Sequence, residues 1–430
     1  MKILLVHQNF PAQFVHLARR MAATGGHEIL FISEPNRNRI EGVRVVPYRR
    51  PSPAAAATHP AARELDGAAR RAEAVARTAA TLKSLGFTPD IVLGHHGWGE
   101  LLNLPDVWPD VPLVGYFEFY YQTDGSDVGF DPEFPTDPAD FPRIRAKNTI
   151  NLLALQLARH GQTPTRFQHS TYPAWAREQI RILPEGADLE RCRPDPAQHR
   201  KPLKIGALTI APGERLVTYV ARDLEPYRGA HVMIRALPAL LAARPDLKVV
   251  MVGGDGVSYG APAAKGTWRQ HFLDQLGGGL DLSRVAFPGR VPYETFLRLL
   301  QRSDAHVYLT YPFVASWSLR EALACGCVVV GSDTPPVREF VTDRVNGRLV
   351  SFFDPAALAA TVLELLEDRA QARQLRAAAR AGAERSLDLR VTLSDYAALI
   401  RRLTEGGEIF PPAAPPAAAP SRRRRAATSR

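Results

Sequence analysis

This sequence predicts two doubly wound α/β domains that face each other across a cleft, each a parallel sheet of Rossmann-like type with helices on both faces. Three observations carry the prediction. At 430 residues the chain exceeds one ordinary hydrophobic core and suits two domains of about 190 residues each. Short runs rich in Val, Ile and Leu alternate with helix-length segments, the rhythm of βαβ units in a sheet buried on both faces. The rhythm runs twice, with a break over residues 188–212. There Pro194, Asp195, Pro196, Lys201, Pro202 and Lys204 interrupt it, and Ala211-Pro212-Gly213 marks a turn.

In the first half the strand-like runs are Lys2–Val6, Glu28–Ile32, Val43–Val46, Ile91–Leu93, Leu113–Tyr116 and Ile180–Leu183. The second half gives Leu216–Ala221, Lys248–Val252, Val285–Phe287, His306–Leu309, Val328–Gly331 and Arg348–Ser351. We therefore expect a first domain over residues 1–190 and a second over 191–387. An amphipathic helix follows over residues 388–405, able to pack back across both. Residues 406–430 collapse to Pro, Ala and Arg, which cannot bury a core, and are expected to be disordered.

Apolar content of 45% with 23% charged residues is that of a soluble globular chain. No apolar run reaches the ~18–20 residues that cross a bilayer, and MKILLVHQNF reads as a buried strand without a charged leader, so a cytoplasmic protein is expected. Cys192, Cys325 and Cys327 form no even framework and read as packing thiols. The formal charge of +10 invites a nucleic-acid reading, but Arg422, Arg423, Arg424, Arg425 and Arg430 supply five of those charges near the end of the chain. No specific nucleic-acid partner is expected. The tail suits peripheral contact with an anionic membrane at the inner face.

Ligands of such folds sit beyond the C-terminal ends of the strands, and the residues that follow each run supply the candidates. Phe313 to Glu321 (FVASWSLRE) place serines and a helix-borne carboxylate just ahead of the strand at Val328. Backbone amides and the hydroxyls of Ser316 and Ser318 suit a diphosphate, and Glu321 suits ribose hydroxyls. Arg222 and Arg228, in VARDLEPYRG, follow another strand and suit a metal-free diphosphate clamp. Gly254 lies in a turn suited to a phosphate contact rather than in a dinucleotide fingerprint, because the spacing of Gly254, Gly256 and Gly260 is wrong and the chain continues as loop. In the first half, Gly94-His95-His96-Gly97-Trp98-Gly99-Glu100 offers imidazoles, an aromatic face for a sugar and a carboxylate. Asn9 and Phe10 close the first strand, and Glu118 closes the Leu113 strand.

These segments resemble glycosyltransferase family 4. Glu321 matches the second Glu of that family's Glu-x7-Glu pair, while Phe313 stands where the first would be. Tyr311 to Leu319 (YPFVASWSL) and the Gly94–Glu100 segment are similar to one branch of the family, with His95 on the family His and His96 in place of Pro. The resemblance covers about residues 1–385 and implies a GT-B fold and a retaining glycosyltransferase with a nucleotide-diphosphate sugar as donor. It implies catalytic roles for His95, Arg222, Arg228 and Glu321. Donor contacts would come from Gly254, Arg290, Val291, Phe313, Ser316, Trp317, Ser318 and Leu319. The acceptor, whether glycan, lipid-linked or small molecule, would meet Asn9, Phe10, Trp98, Glu100 and Glu118. No Asp-x-Asp occurs in the chain, so neither a metal nor another cofactor is expected. A nucleotide-sugar 2-epimerase and a non-catalytic nucleotide-sugar binder are the alternatives.

Overall fold

A computed structural model describes residues 1–157 and 160–407. The first lobe is built on seven parallel strands: β1 Lys2–Val6, β2 Glu28–Ser33, β3 Val43–Pro47, β4 Ile91–His95, β5 Leu113–Tyr116, β6 His160–Thr163 and β7 Ile180–Ile182. Their order is β3-β2-β1-β4-β5-β6-β7, so the topological switch falls beside β1 and β4. Alternation along β1 explains the layering. Leu4 and Val6 pack with Val75, Ala79 and Leu82 of the helix Arg63–Ser84. Ile3 and Leu5 pack on the opposite face with Phe10, Phe14 and Leu17.

A short antiparallel hairpin, β8 Leu203–Ile205 with β9 Leu208–Ile210, opens the second lobe. Its sheet comprises β10 Arg215–Asp223, β11 Leu247–Gly254, β12 Val285–Ala286, β13 Ala305–Tyr308, β14 Val329–Ser332 and β15 Arg348–Val350. The order is β12-β11-β10-β13-β14-β15, all parallel. The helices Ala230–Ala243 and Pro355–Glu367 cover one face through Met233, Leu237, Leu240, Val362 and Leu366.

The chain crosses between the lobes twice, and the two crossings are paired. Ala187 N–H donates to Leu387 O at 2.7 Å and Leu389 N–H to Ala187 O at 3.1 Å. Beyond the second crossing, the helix Leu389–Thr404 presses Tyr396, Leu399, Ile400 and Leu403 into the Ile3–Leu5 face of the first lobe. The expected tail falls almost wholly on residues 408–430, outside the described residues.

Candidate active site

The first-lobe part of the site grows from β1 and β4. His7 follows β1 and His95 ends β4, and both are locked by the same device. Asn9 N–H donates to His7 Nδ1 and Gly97 N–H to His95 Nδ1, both at 2.8 Å. In the neutral ring this leaves Nε2 of His95 as the donor, buried without a hydrogen-bond partner and 3.5 Å from Glu118 Oε2. Gly97 is required there, because a Cβ would stand 2.5 Å from His95 Cε1. Trp98 and Tyr116 stack on the two sides of the imidazole, with centroids at 4.4 and 5.2 Å. Burial and the neighbouring His95 hold His7 well below the usual histidine range. Asn9 is exposed, and half-buried Trp98 sits beside His95.

Two expected acceptor contacts lie elsewhere. Phe10 is 3% exposed and packs edge-on against Phe31, in the core. Glu100 is fully buried, accepts from Tyr48 OH at 3.2 Å and faces Arg71 Nε at 3.6 Å. Both side chains point inward because the turn after each strand folds them under the lobe. His96 is likewise internal, against Phe117.

In the second lobe, β10 and β11 end in a cluster of charges. Arg222 is exposed. Asp223 is buried, accepts from Ser258 Oγ and pairs with Arg290 at 3.3 Å, while Arg290 leaves most of its side chain in solvent. Gly254 closes this cluster, since a Cβ there would lie 2.4 Å from Asp223 Oδ1. Glu225, also buried, accepts from the amides of Ser258, Tyr259 and Gly260 at 3.1–3.3 Å. These two acids, which the sequence reading passed over, pin the glycine-rich turn. Val291 is half-buried and packs with Leu297 and Leu319.

The loop between β13 and the helix Trp317–Ala324 is held from behind. Arg228, 5% exposed, donates through Nη1 to Thr310 Oγ1 and to Val314 O, both at 2.8 Å. It thus braces the loop instead of lying open beside Arg222. Tyr308 OH accepts from Ser316 N–H at 2.7 Å, and the hydroxyls of Ser316 and Ser318 are 2.6 Å apart. No side chain caps the amides of this helix, which leaves positive backbone ends for an anion. Leu319 is fully buried, so it can offer a ligand only its backbone. Glu321 accepts from Tyr293 OH at 2.6 Å, and burial raises its carboxyl above the usual range. It lines a cavity of about 800 Å³ with His16, Arg19, Arg191, Tyr293 and Trp317.

Phe313 does not face a ligand space. It is 5% exposed and wedged between Phe119 of the first lobe, at 4.6 Å, and Tyr259 and Tyr227 of the second, at 5.1 and 5.4 Å. Trp317 also reaches across, donating to Glu185 Oε2 at 2.7 Å and packing on His16. Glu185 in turn accepts from Tyr116 OH at 3.1 Å and pairs with Arg320. Glu185 has no role at the site in the sequence reading. Glu339 accepts from the amides of Arg166 and Phe167 at 2.8 and 3.0 Å, capping a first-lobe helix from the second lobe.

A strap over residues 123–137 runs from the first lobe onto the second. Asp131, Glu133 and His231 bring ligand-type atoms within 4.8 Å of one another. These atoms are already engaged: Asp131 by His231 Nε2 at 3.1 Å and Tyr311 OH at 2.9 Å, Glu133 by Arg235 in a two-pronged pair at 2.6 Å. The cluster fastens the strap.

Two family models tile this chain. One described as glycosyl transferase family 4 group matches residues 25–192, and one described as glycosyl transferases group 1 matches residues 201–382. The chain belongs to glycosyltransferase family 4. A D-inositol 3-phosphate glycosyltransferase of Nocardia farcinica is 33% identical over 203 residues, 46% of this chain and 42% of the relative. A phosphatidyl-myo-inositol mannosyltransferase of Mycolicibacterium smegmatis is 32% identical over 160 residues, 36% of each chain. The matches thus span less than half the length of these curated relatives. Among solved structures, Anabaena HepE in complex with UDP-glucose superposes with a TM-score of 0.67 at 17% identity, covering 93% of this chain and 99% of that one. Sucrose-phosphate synthase from Thermosynechococcus elongatus gives 0.71 at 18%, covering 95% and 100%. The two parallel sheets and these neighbours make the fold GT-B.

Proposed function

We propose that this family 4 chain is a retaining glycosyltransferase that moves a sugar from a nucleotide-diphosphate sugar to a glycan, lipid-linked or small-molecule acceptor, without a metal ion. The observation that carries the reading is the uncapped helix Trp317–Ala324, whose lead-in loop is fixed by Arg228 and Tyr308. Amides held in place before a ligand arrives stabilise a leaving diphosphate without reorganisation during the reaction. Exposed Arg222 and Arg290 add cationic charge at the ends of the neighbouring strands, and Glu321 supplies an acceptor for ribose hydroxyls. His95, an Nε2–H donor in its neutral form, hydrogen-bonds the transferred sugar beside Glu118.

The family relatives named above are glycosyltransferases, which favours transfer over epimerisation. The HepE complex with UDP-glucose supports a nucleotide-sugar donor. We place the work in the cytoplasm or at the inner membrane face, in keeping with polysaccharide or glycolipid assembly. No helix among the described residues is long and apolar enough to cross a membrane.

Thermal-shift measurement with UDP, GDP and ADP tests the donor site. A nucleotide at 100 times its dissociation constant adds about 2.7 kcal/mol. Ser318→Asp sets a carboxylate at the helix N-terminus and should abolish that gain without lowering the unliganded midpoint. An equal nucleotide response in Ser318→Asp overturns the assignment of this helix.

A further inference from the structure

Between the strap and the second lobe lies a cavity of about 870 Å³ that the reading above does not use. Its walls come from both lobes: Phe134, Asp137 and Lys147 from the first, Tyr227, Tyr259 and Trp268 from the second. The volume is within the ~300–1,000 Å³ of ordinary ligand pockets and exceeds what a single sugar ring fills.

We infer that this cavity binds an uncharged oligosaccharide and holds the non-reacting sugars of the acceptor, an inference that rests on the transferase reading. The lining decides the chemistry. Aromatic rings offer flat apolar faces for the C–H side of a pyranose, and Tyr259 leaves 40% of its surface open. Carboxylates accept from sugar hydroxyls, and Asp137 is exposed, its Oδ1 accepting from the Ala139 amide at 2.9 Å. A phosphorylated ligand would need unpaired cations, which the lining lacks. Arg143 is held by Asp140 at 3.2 Å and Glu64 at 3.4 Å, and Lys147 by Glu64 at 3.7 Å while it lies over the Tyr121 ring. Asp127, the remaining lining acid, is taken by Tyr227 OH.

The position fits an extended acceptor. Tyr227 and Tyr259 touch Phe313 at the start of the donor loop, and the Tyr259 ring lies 4.7 Å from the Arg228 guanidinium. Phe313 meets Phe119, the residue after Glu118, which faces His95. A line of contacts, from Tyr227 and Tyr259 to Phe313 and from Phe313 to Phe119, thus leads from the cavity to the segment that carries Glu118 beside His95. An acceptor following that line would leave its end toward His95 and its body in the cavity.

A glycan array carrying neutral and anionic glycans, probed with the full chain and with Ala264→Trp, tests this directly. Ala264 is an exposed lining residue, so the indole fills the cavity without entering a core. Neutral oligosaccharides should be retained by the parent and weakened at least about tenfold by Ala264→Trp, while UDP or GDP affinity stays within about twofold. Trp268→Ala should weaken the same glycans, with a urea midpoint measured alongside to set aside unfolding. Retention of anionic glycans alone, of no glycan, or of the same neutral glycans by Ala264→Trp overturns the inference. Nucleotide binding is read separately, so a lost donor site and a lost glycan site give different results.

Discussion

Arg228→Lys separates a brace from a ligand. In the structure Nη1 of Arg228 bonds both Thr310 Oγ1 and Val314 O at 2.8 Å, and the side chain is buried. A lysine carries one compact ammonium on a stem of different length and shape and cannot set it where Nη1 stands with both acceptors in reach. Hydrogen bonds to charged groups contribute ~1.5–3 kcal/mol each, so losing one and keeping the other lowers stability by about 2 kcal/mol. Release of the Val314 carbonyl also frees the loop that presents the amides of Trp317 and Ser318. Ordering it again on binding should weaken nucleotide diphosphates about tenfold, or ~1.4 kcal/mol. Urea unfolding gives the first quantity and titration calorimetry with UDP and GDP the second. The reasoning fails if Arg228→Lys unfolds at the parental midpoint while nucleotide affinity collapses, because the guanidinium would then be gripping the ligand rather than the loop.

Three further substitutions read other parts of the framework. Burial raises the Glu100 carboxyl to about 7; its folded value exceeds the unfolded one of about 4.3, so its contribution to stability is present below that pH and is lost as the pH rises to about 7. Glu100→Gln should then be more stable than the parent above pH 7 by on the order of 2 kcal/mol, and a urea series over that range showing no gain counts against it. Burial lowers His96 to about 3, the opposite sign: its contribution is present above about pH 6.5 and is lost as the pH falls toward 3, so His96→Gln should flatten acid unfolding in that window, and an unchanged slope would refute the assignment. Phe313→Glu, which installs the acid typical of the family, buries a carboxylate among three aromatic rings; we expect a loss of ~3–5 kcal/mol, and a parental melting temperature would show that the wedge opens freely to solvent.

The two sheets were legible because parallel strands buried on both faces write continuous Val, Ile and Leu runs, as in Ile3-Leu4-Leu5-Val6. β6 was not, because its sequence is His-Gly-Gln-Thr. It is a strand by position alone, slotted between β5 and β7, with Gly161 admitting Phe117 and Ile180. The β8–β9 hairpin hid for a different reason. Its Ile205-Gly206-Ala207-Leu208 turn lay inside a stretch that its prolines and lysines marked as a break. At the site, sequence placed the loops correctly at strand ends but not the direction of each side chain within them. Phe10 and Glu100 sit one turn past such ends and fold inward, and Phe313 is taken by contacts with residues nearly 200 positions away. Asp223 and Glu225 carried no motif, and only the Ser258–Gly260 turn they hold reveals their work.

How the lobes are joined follows from which contacts are buried. Besides the crossing segments, the cleft is spanned by Trp317 and Arg320 to Glu185, Trp317 on His16, Phe313 on Phe119, Glu339 to the Arg166 and Phe167 amides, and the strap. The Glu339 contact is exposed, of a kind worth about 1 kcal/mol or less. The strap differs, because Asp131 and His231 side chains are each about 3% exposed and leaving a buried polar group without its partner costs ~1–3 kcal/mol. Phe130 and Phe134 add rings packed on Tyr311, Phe352, His231 and Trp268. Residues 127–135 are therefore first-lobe sequence fastened mechanically to the second lobe. The exposed Glu339 cap is thus the weaker fastening and the strap the stronger, and in the chain that leads into the strap Gly125 adopts a positive φ of 73°. Tyr311, held by Asp131 of the strap, adjoins Thr310, held by Arg228, so the strap and the Arg228 brace steady the same donor loop.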